Sequence, residues 1–129
     1  RAVRYATNEQ FNEKKELVFY ILRHLHEMTL NEMMSAMKEL AQDGTNVNDY
    51  IDLMILWYRD VLIFKATNDI NQMILADEYS YISKESSVRD YEKVEEILQA
   101  FSTAKTRLMA NVNYEVAMEL MLLTLKERN

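Results

Sequence analysis

The spacing of apolar residues along the chain predicts α-helices. Between residues 30 and 41 the apolar positions recur at intervals of three and four, as on one face of a helix. Thr29 and Glu32 form a capping box ahead of this helix, and Gly44 stands where a left-handed residue would end it, near Asp43. Similar patterns predict five further helices, at about 9–27, 46–67, 77–84, 87–110 and 113–127. We therefore expect an all-α fold, a compact bundle of about five or six helices.

Short polar side chains mark where these helices start, because their oxygens can accept hydrogen bonds from the free amides of a first turn. The expected caps or opening residues are, in chain order, Thr7 or Asn8, Asn46 or Asn48, Ser87 with Asp90, and Asn113. The stretch 68–76 is polar and lacks a helical period, so we expect a loop there.

The helix predicted at 46–67 is apolar around more than half of its circumference. The apolar residues of its core face are Tyr50, Ile51, Leu53, Met54, Trp57, Tyr58, Val61, Leu62 and Phe64. Leu56 and Ile63 emerge on the remaining polar face, and we expect Arg59 and Asp60 to flank them outside the core. Neither charge has an opposite charge three or four positions away, so its partner must come from another helix or another chain. This pattern is typical of an interface, with a solvated rim as the alternative.

The last predicted helix has a similar excess of apolar residues. Glu115, Glu119 and Lys126 make one narrow polar stripe, and nearly all the other positions are apolar. A helix with this pattern is either central to its bundle or covered by a neighbour.

Composition excludes several classes of function. The formal net charge is −6 and the basic residues are scattered, which argues against a nucleic-acid surface. The chain has no cysteine, so disulfides, zinc fingers and thiol chemistry are excluded and a reducing compartment such as the cytoplasm is expected. No apolar run approaches the roughly 20 residues that a membrane-spanning helix needs.

The titratable residues predict no catalytic, metal, cofactor or small-molecule site. His24 and His26 are two positions apart, so they point to different sides of a helix and are expected at its surface or rim. The adjacent acidic residues at 77–78 and 95–96 are interpreted as solvated faces rather than acid–base pairs. Gly44 is the only glycine, which excludes a glycine-rich phosphate loop.

Two segments have the order and separation of family motifs. The run WYRDVL at 57–62, followed by Lys65, is similar to W-x-R-D-L-L, and the segment at 111–123 is similar to N-x-N-P-x-L-A-L-E-x-L-L-L, with Tyr114 in place of proline and Val116 in place of leucine. Together they resemble the C-terminal domain of bacterial DNA polymerase III delta-prime subunits. The matching positions are Trp57, Arg59, Asp60, Leu62, Lys65, Asn111, Asn113, Ala117, Glu119 and Leu122.

The resemblance implies a collar domain of a clamp loader, in which five such helical domains form a ring that holds the ATPase modules together. It implies that residues 8–129 form the collar domain and that residues 1–7 are the tail of a preceding lid domain or a linker. The partners would be the gamma/tau and delta subunits of a cytoplasmic bacterial replisome, and this segment would perform no chemistry. We expect the interface with these subunits to involve Leu56, Arg59, Asp60 and Ile63.

Two alternatives stay open. The chain could be the collar domain of another clamp-loader subunit, gamma/tau, which ends in a related helical domain. It could also be a helical ligand-binding or dimerisation domain of a transcriptional regulator, in which a core rich in methionine and tyrosine lines a cavity.

Overall fold

Six α-helices account for most of the residues that the computed structural model describes, which are 2–42 and 46–127, with side chains from residue 12 onward. They are α1 (Ala2–His24), α2 (Leu30–Leu40), α3 (Val47–Thr67), α4 (Tyr79–Val88), α5 (Tyr91–Met109) and α6 (Tyr114–Lys126). Two short 3-10 turns, Ile70–Gln72 and Ala76–Glu78, lie between α3 and α4. Since these ranges contain no strand, the predicted all-α fold is confirmed.

Helix α3 lies at the centre of the bundle and packs against α1, α4 and α5. Helix α6 packs against α5 and α2, and α2 also contacts α1. The largest fully buried side chains of α3 are Tyr50, Ile51, Met54, Trp57 and Tyr58, so the broad apolar face predicted for this helix is confirmed. None of the described helices is both long enough and apolar enough to cross a bilayer.

Most of the predicted caps are present. The Thr29 hydroxyl accepts from the Glu32 amide at 3.1 Å, and the Glu32 carboxylate accepts from the Thr29 amide at 2.8 Å, which completes the capping box. Asn46 caps α3 by accepting from the amide of Asn48, which settles the choice between these two residues. Asp90 caps α5 and Asn113 caps α6 in the same way.

Several predicted boundaries are wrong. Helix α1 runs through Thr7 and Asn8, so neither residue caps it, and no proline or glycine interrupts the helix there. Helix α2 ends at Leu40 rather than near Asp43, and both Asp43 and Gly44 lie outside the described residues. Helix α4 continues to Val88 rather than ending at residue 84, and α5 begins at Tyr91 rather than at residue 87. Between them Arg89 has an extended backbone, and its side chain is buried in the core.

Candidate protein–protein interface

Trp57 and Tyr58 carry polar atoms into the core, and carboxylates from outside their own helix accept from both. The Trp57 indole Nε1 donates to Glu78 Oε1 at 3.3 Å, and the Tyr58 hydroxyl donates to Glu85 Oε2 at 2.7 Å. Burial, followed by the charge of Glu85, raises the pKa of Tyr58 well above its usual value, so this hydroxyl stays protonated. These two bonds join the centre of α3 to the 3-10 turn Ala76–Glu78 and to α4.

Glu78 is also held by a fork of two hydrogen bonds from α1. The Arg23 atoms Nε and Nη2 donate to the two carboxylate oxygens at 2.9 Å and 2.5 Å. Burial acts to raise the pKa of Glu78, but the hydrogen bonds from Arg23 and Trp57 outweigh it, and the pKa is lowered. Glu78 is only 5% exposed, so the interpretation of residues 77–78 as a solvated acidic pair is wrong for this residue.

Glu85 sits at the centre of a second buried polar cluster. Its carboxylate lies 2.7 Å from Nε2 of His26, which is at the rim of the fold, and 3.1 Å from Nε of the buried Arg89. The other guanidinium nitrogens of Arg89 donate to the backbone oxygens of Leu125 and Glu127, at 2.6 Å and 2.7 Å. The cluster therefore ties α4 to the end of α6.

Asp60 is buried, which makes the prediction that it lies outside the core wrong. Its side chain is 1% exposed, and its two carboxylate oxygens accept from the backbone amides of Ile74 and Leu75 at 3.0 Å and 2.6 Å. Two amides of the loop between α3 and α4 thus provide the partner that α3 itself does not. The Asp60 side chain holds this loop in place and is not accessible to another subunit.

Two further residues of the first motif segment also have partners inside the chain. The Lys65 ammonium donates to the Ser86 backbone oxygen at 3.0 Å and lies 5.1 Å from the ring centre of Tyr91, which joins α3 to α4 and α5. Leu62 is half-buried and packs against the core.

The second motif segment forms the tight connection between α5 and α6. Asn111 has a left-handed backbone with φ 62°, its amide bonds the Leu108 oxygen, and the Val112 amide bonds the Arg107 oxygen. This pair of bonds is the Schellman motif that ends many helices. Asn113 then accepts from the Val116 amide and starts α6.

Three later residues of the second motif segment divide between core and surface. Ala117 and Leu122 are fully buried, whereas Glu119 is exposed. Tyr114, which stands in place of proline, donates from its hydroxyl to the Met37 backbone oxygen and so joins α6 to α2. Burial raises the pKa of Tyr114 to about 12.

Leu56, Arg59 and Ile63 form a stripe on the outer side of α3, which we call the α3 surface. Leu56 is half-buried, and Ile63 is 38% exposed although it is a large apolar side chain. Arg59 is exposed and has no hydrogen bond or ion pair with any residue that the structure describes. Leu56, Arg59 and Ile63 therefore stay predicted interface residues, and Asp60 does not.

The sequence patterns do not predict the internal partners Arg23, Glu78, Glu85 and Arg89. The signal that could have found them is the polar tip of a buried Trp or Tyr, which requires an acceptor. Within the described residues, no group of three or more His, Cys, Asp or Glu side chains is arranged to hold a metal ion.

Comparisons with known proteins agree on one family. Residues 8–127 match the family described as DNA polymerase III, delta subunit, C terminal. The chain is 26% identical, over 98% of its length, to DNA polymerase III subunit delta' of Bacillus subtilis (strain 168), and it spans 39% of that relative. No solved structure matches it significantly. The resemblance to the delta-prime C-terminal domain is thereby confirmed: the chain belongs to the family formed by the C-terminal domains of DNA polymerase III delta subunits.

Proposed function

We propose that this domain joins a delta-prime-type subunit to its neighbours in the collar of a clamp loader. The collar would support ATP-dependent loading of the sliding clamp during DNA replication, and the domain itself would perform no chemistry. The chain spans 39% of its relative. Residues for an ATP site or for clamp binding would, under this proposal, lie outside this segment. The match of residues 8–127 to the C-terminal family of DNA polymerase III delta subunits supports a role for this domain in a clamp-loader subunit.

The observation that carries the proposal is the unpartnered Arg59 on the α3 surface. Trp57, Asp60 and Lys65 from the same segment are used inside the fold, whereas Arg59 points outward between Leu56 and Ile63. An arginine beside exposed apolar side chains is enriched in protein–protein interfaces, where it can pair with a carboxylate of the partner. The expected partners are the gamma/tau and delta subunits.

The first test replaces Leu56 and Ile63 by serine together. We expect co-purification with gamma/tau to weaken by about tenfold or more, which corresponds to ~1.4 kcal/mol. The helix content and the melting temperature should change little, because neither side chain is fully buried. The measurements are quantitative pull-down from a reconstituted clamp loader, circular dichroism and thermal melting.

A matched control replaces two other apolar side chains, Val88 and Met109, by serine. These are 51% and 75% exposed and lie at the ends of α4 and α5, outside the stripe of Leu56, Arg59 and Ile63. The control should assemble like the wild type. If Leu56→Ser with Ile63→Ser lowers the melting temperature strongly, the pair belongs to the core; if assembly is unchanged, the α3 surface does not bind a neighbouring subunit.

The choice of subunit is tested by the sequence that precedes this domain in the complete protein. A nucleotide-binding module with a degenerate phosphate loop and a Ser-Arg-Cys motif would support delta-prime. An intact phosphate loop would instead support gamma/tau.

A further inference from the structure

A cavity of about 600 Å³ lies between the end of α1 and helix α4, and none of the three residues of the α3 surface lines it. Both helices pack against α3, and Leu22, Trp57 and Tyr81 give the cavity apolar and aromatic walls. Sites for small molecules typically have volumes of about 300–1,000 Å³ and combine apolar walls with a few polar groups. The size and the lining of this cavity therefore suit a small organic ligand.

Contacts inside the chain hold one wall of the cavity in place. The ring centre of Tyr81 lies 5.5 Å from the guanidinium carbon of Arg23, and the His24 ring meets the Tyr81 ring edge-on at 6.3 Å. Arg23 is fixed in turn by its two hydrogen bonds to Glu78. The shape of the cavity is thus set before a ligand arrives, which lowers the entropic cost of binding.

Two carboxylates that line the cavity already have partners. Glu85 accepts hydrogen bonds from two buried donors and also lies 2.7 Å from Nε2 of His26. The carboxylate of Glu27 lies 3.3 Å from Nδ1 of His24. A cationic ligand would have to compete with these contacts, so the carboxylates do not favour a cation in the cavity.

Helix α4 contributes three hydrogen-bond donors to the lining. They are the hydroxyls of Ser80 and Tyr81 and the ammonium of Lys84, and none of them has a hydrogen bond with the residues that the structure describes. Ser80 and Lys84 are four positions apart and share one face of α4. Lys84 is exposed and has no ion pair in the described ranges. The unused polar groups of the cavity therefore suit an acceptor that carries a negative charge.

We propose that this cavity binds a small organic ligand with an aromatic or aliphatic body and one carboxylate. The body lies against the apolar walls at Trp57 and Tyr81, and the carboxylate accepts a charge-assisted hydrogen bond from Lys84. Local sequence patterns could not predict this site, because His26 and Glu85, which both line the cavity, are 59 positions apart in the chain. The proposal goes beyond the proposed function and does not depend on it.

Trp57 provides the readout, because it lines the cavity and is the only tryptophan among the 129 residues. The chain is titrated with phenylacetate at constant ionic strength while Trp57 fluorescence is recorded, and calorimetry gives the stoichiometry. Neutral phenylacetamide and cationic phenethylamine are the matched probes. We expect one molecule of phenylacetate to bind with a dissociation constant on the order of 1 mM, and both other probes to bind about fivefold more weakly.

Lys84→Ala removes the ammonium that recognises the carboxylate. The melting temperature should stay near that of the wild type, because Lys84 is exposed. We expect this variant to bind phenylacetate and phenylacetamide equally, so that only the charged probe loses affinity. Lys38→Ala is the matched control, since Lys38 is an exposed lysine of α2 that does not line the cavity. It should keep the wild-type preference for phenylacetate.

Several results would overturn the proposal. They are the absence of a saturable change with phenylacetate, equal affinity of the wild type for the acid and the amide, tighter binding of phenethylamine, and an unaltered preference in Lys84→Ala. Saturation only by a blocked acidic peptide, Asp-Phe-Asp, would identify a peptide site and would also overturn it. Collar assembly plays no part in these titrations, so failure here leaves the proposed function standing, and failure of assembly leaves the cavity site standing.

Discussion

Trp57 and Tyr58 show how a buried side chain determines what must surround it. Each brings one polar hydrogen into the core, and each donates it to a carboxylate, Glu78 of the 3-10 turn before α4 or Glu85 of α4. Leaving such a group unpaired costs about 1–3 kcal/mol, so Glu78 and Glu85 are structural residues and not solvated acids. Arg23 and Arg89 then balance the charges of these two carboxylates.

Replacing Glu78 by glutamine should make stability depend less on pH. The pKa of Glu78 is lower in the folded state than the ordinary value, so its ionised form stabilises the fold above that value. This contribution disappears as pH falls through the lowered pKa. We therefore expect the wild type to melt at a higher temperature than Glu78→Gln above the ordinary pKa of a glutamate, about 4.3, and the difference to shrink as pH falls through the lowered pKa of Glu78.

Thermal melting from acid to neutral pH measures this difference. Asp77→Asn is the control, since Asp77 is the exposed neighbour of Glu78 and should alter the melting temperature little at any pH. A gap between the wild type and Glu78→Gln that stays constant over this range would contradict the role given to the Arg23–Glu78 pair.

At the scale of elements, single side chains position whole connections. Asp60 holds the loop between α3 and α4 by its two backbone amides, while Asn111 and Asn113 turn the chain sharply from α5 into α6. Tyr114 replaces the proline of the related motif, and its hydroxyl joins α6 to α2, which a proline could not do. The helices are therefore oriented by polar contacts at their ends as well as by the apolar core.

Asp60→Asn should loosen the connection between α3 and α4. Asparagine has one carbonyl oxygen where Asp60 has two acceptors, and its amide group would face a backbone donor. We expect the free energy of unfolding to fall by about 1–3 kcal/mol. The amides of Ile74 and Leu75 should exchange with solvent faster than in the wild type, which hydrogen–deuterium exchange measures.

Asp49→Asn is the control for this change, because Asp49 is exposed in the first turn of the same helix. It should leave the exchange of the loop amides unaltered. Wild-type protection of both amides in Asp60→Asn would show that other contacts hold the loop.

At the scale of the whole molecule, the bundle leaves apolar side chains exposed on the outer sides of α3 and α6. The α3 surface carries Arg59 and the exposed side of α6 carries Glu119, and neither side chain has a hydrogen bond or ion pair within the described part of the fold. Exposed apolar side chains at helical spacing indicate a docking surface when they form a continuous patch with a defined charge.

Association through the α3 surface should weaken with salt. Ions screen charges that are exposed before contact, so raising the ionic strength from about 0.05 M to about 0.5 M should slow association of the wild type. Arg59→Ala should start from a lower association rate and show a shallower dependence. Stopped-flow or surface plasmon resonance with the reconstituted partner subunits measures both slopes, and equal slopes would contradict a role for Arg59 at the interface.

The sequence by itself determined the helices, four of the six starts, and the broad apolar face of α3. These features are local, since the helical period, the capping box at Thr29 and the Asn113 cap depend on residues within one or two turns. It also indicated the family, through two short motifs and their separation. It singled out Arg59 as a charge without a partner on its own helix.

Only the tertiary structure decided which of two adjacent charges is free. On the helix, Arg59 and Asp60 are equally unpaired, but the loop that follows α3 folds back and presents two amides to Asp60 and none to Arg59. In the same way Arg23 reaches Glu78 across 55 positions of the chain. Such partners cannot be predicted from local patterns, because the direction of a loop and the packing of α1 against α3 decide which polar groups meet.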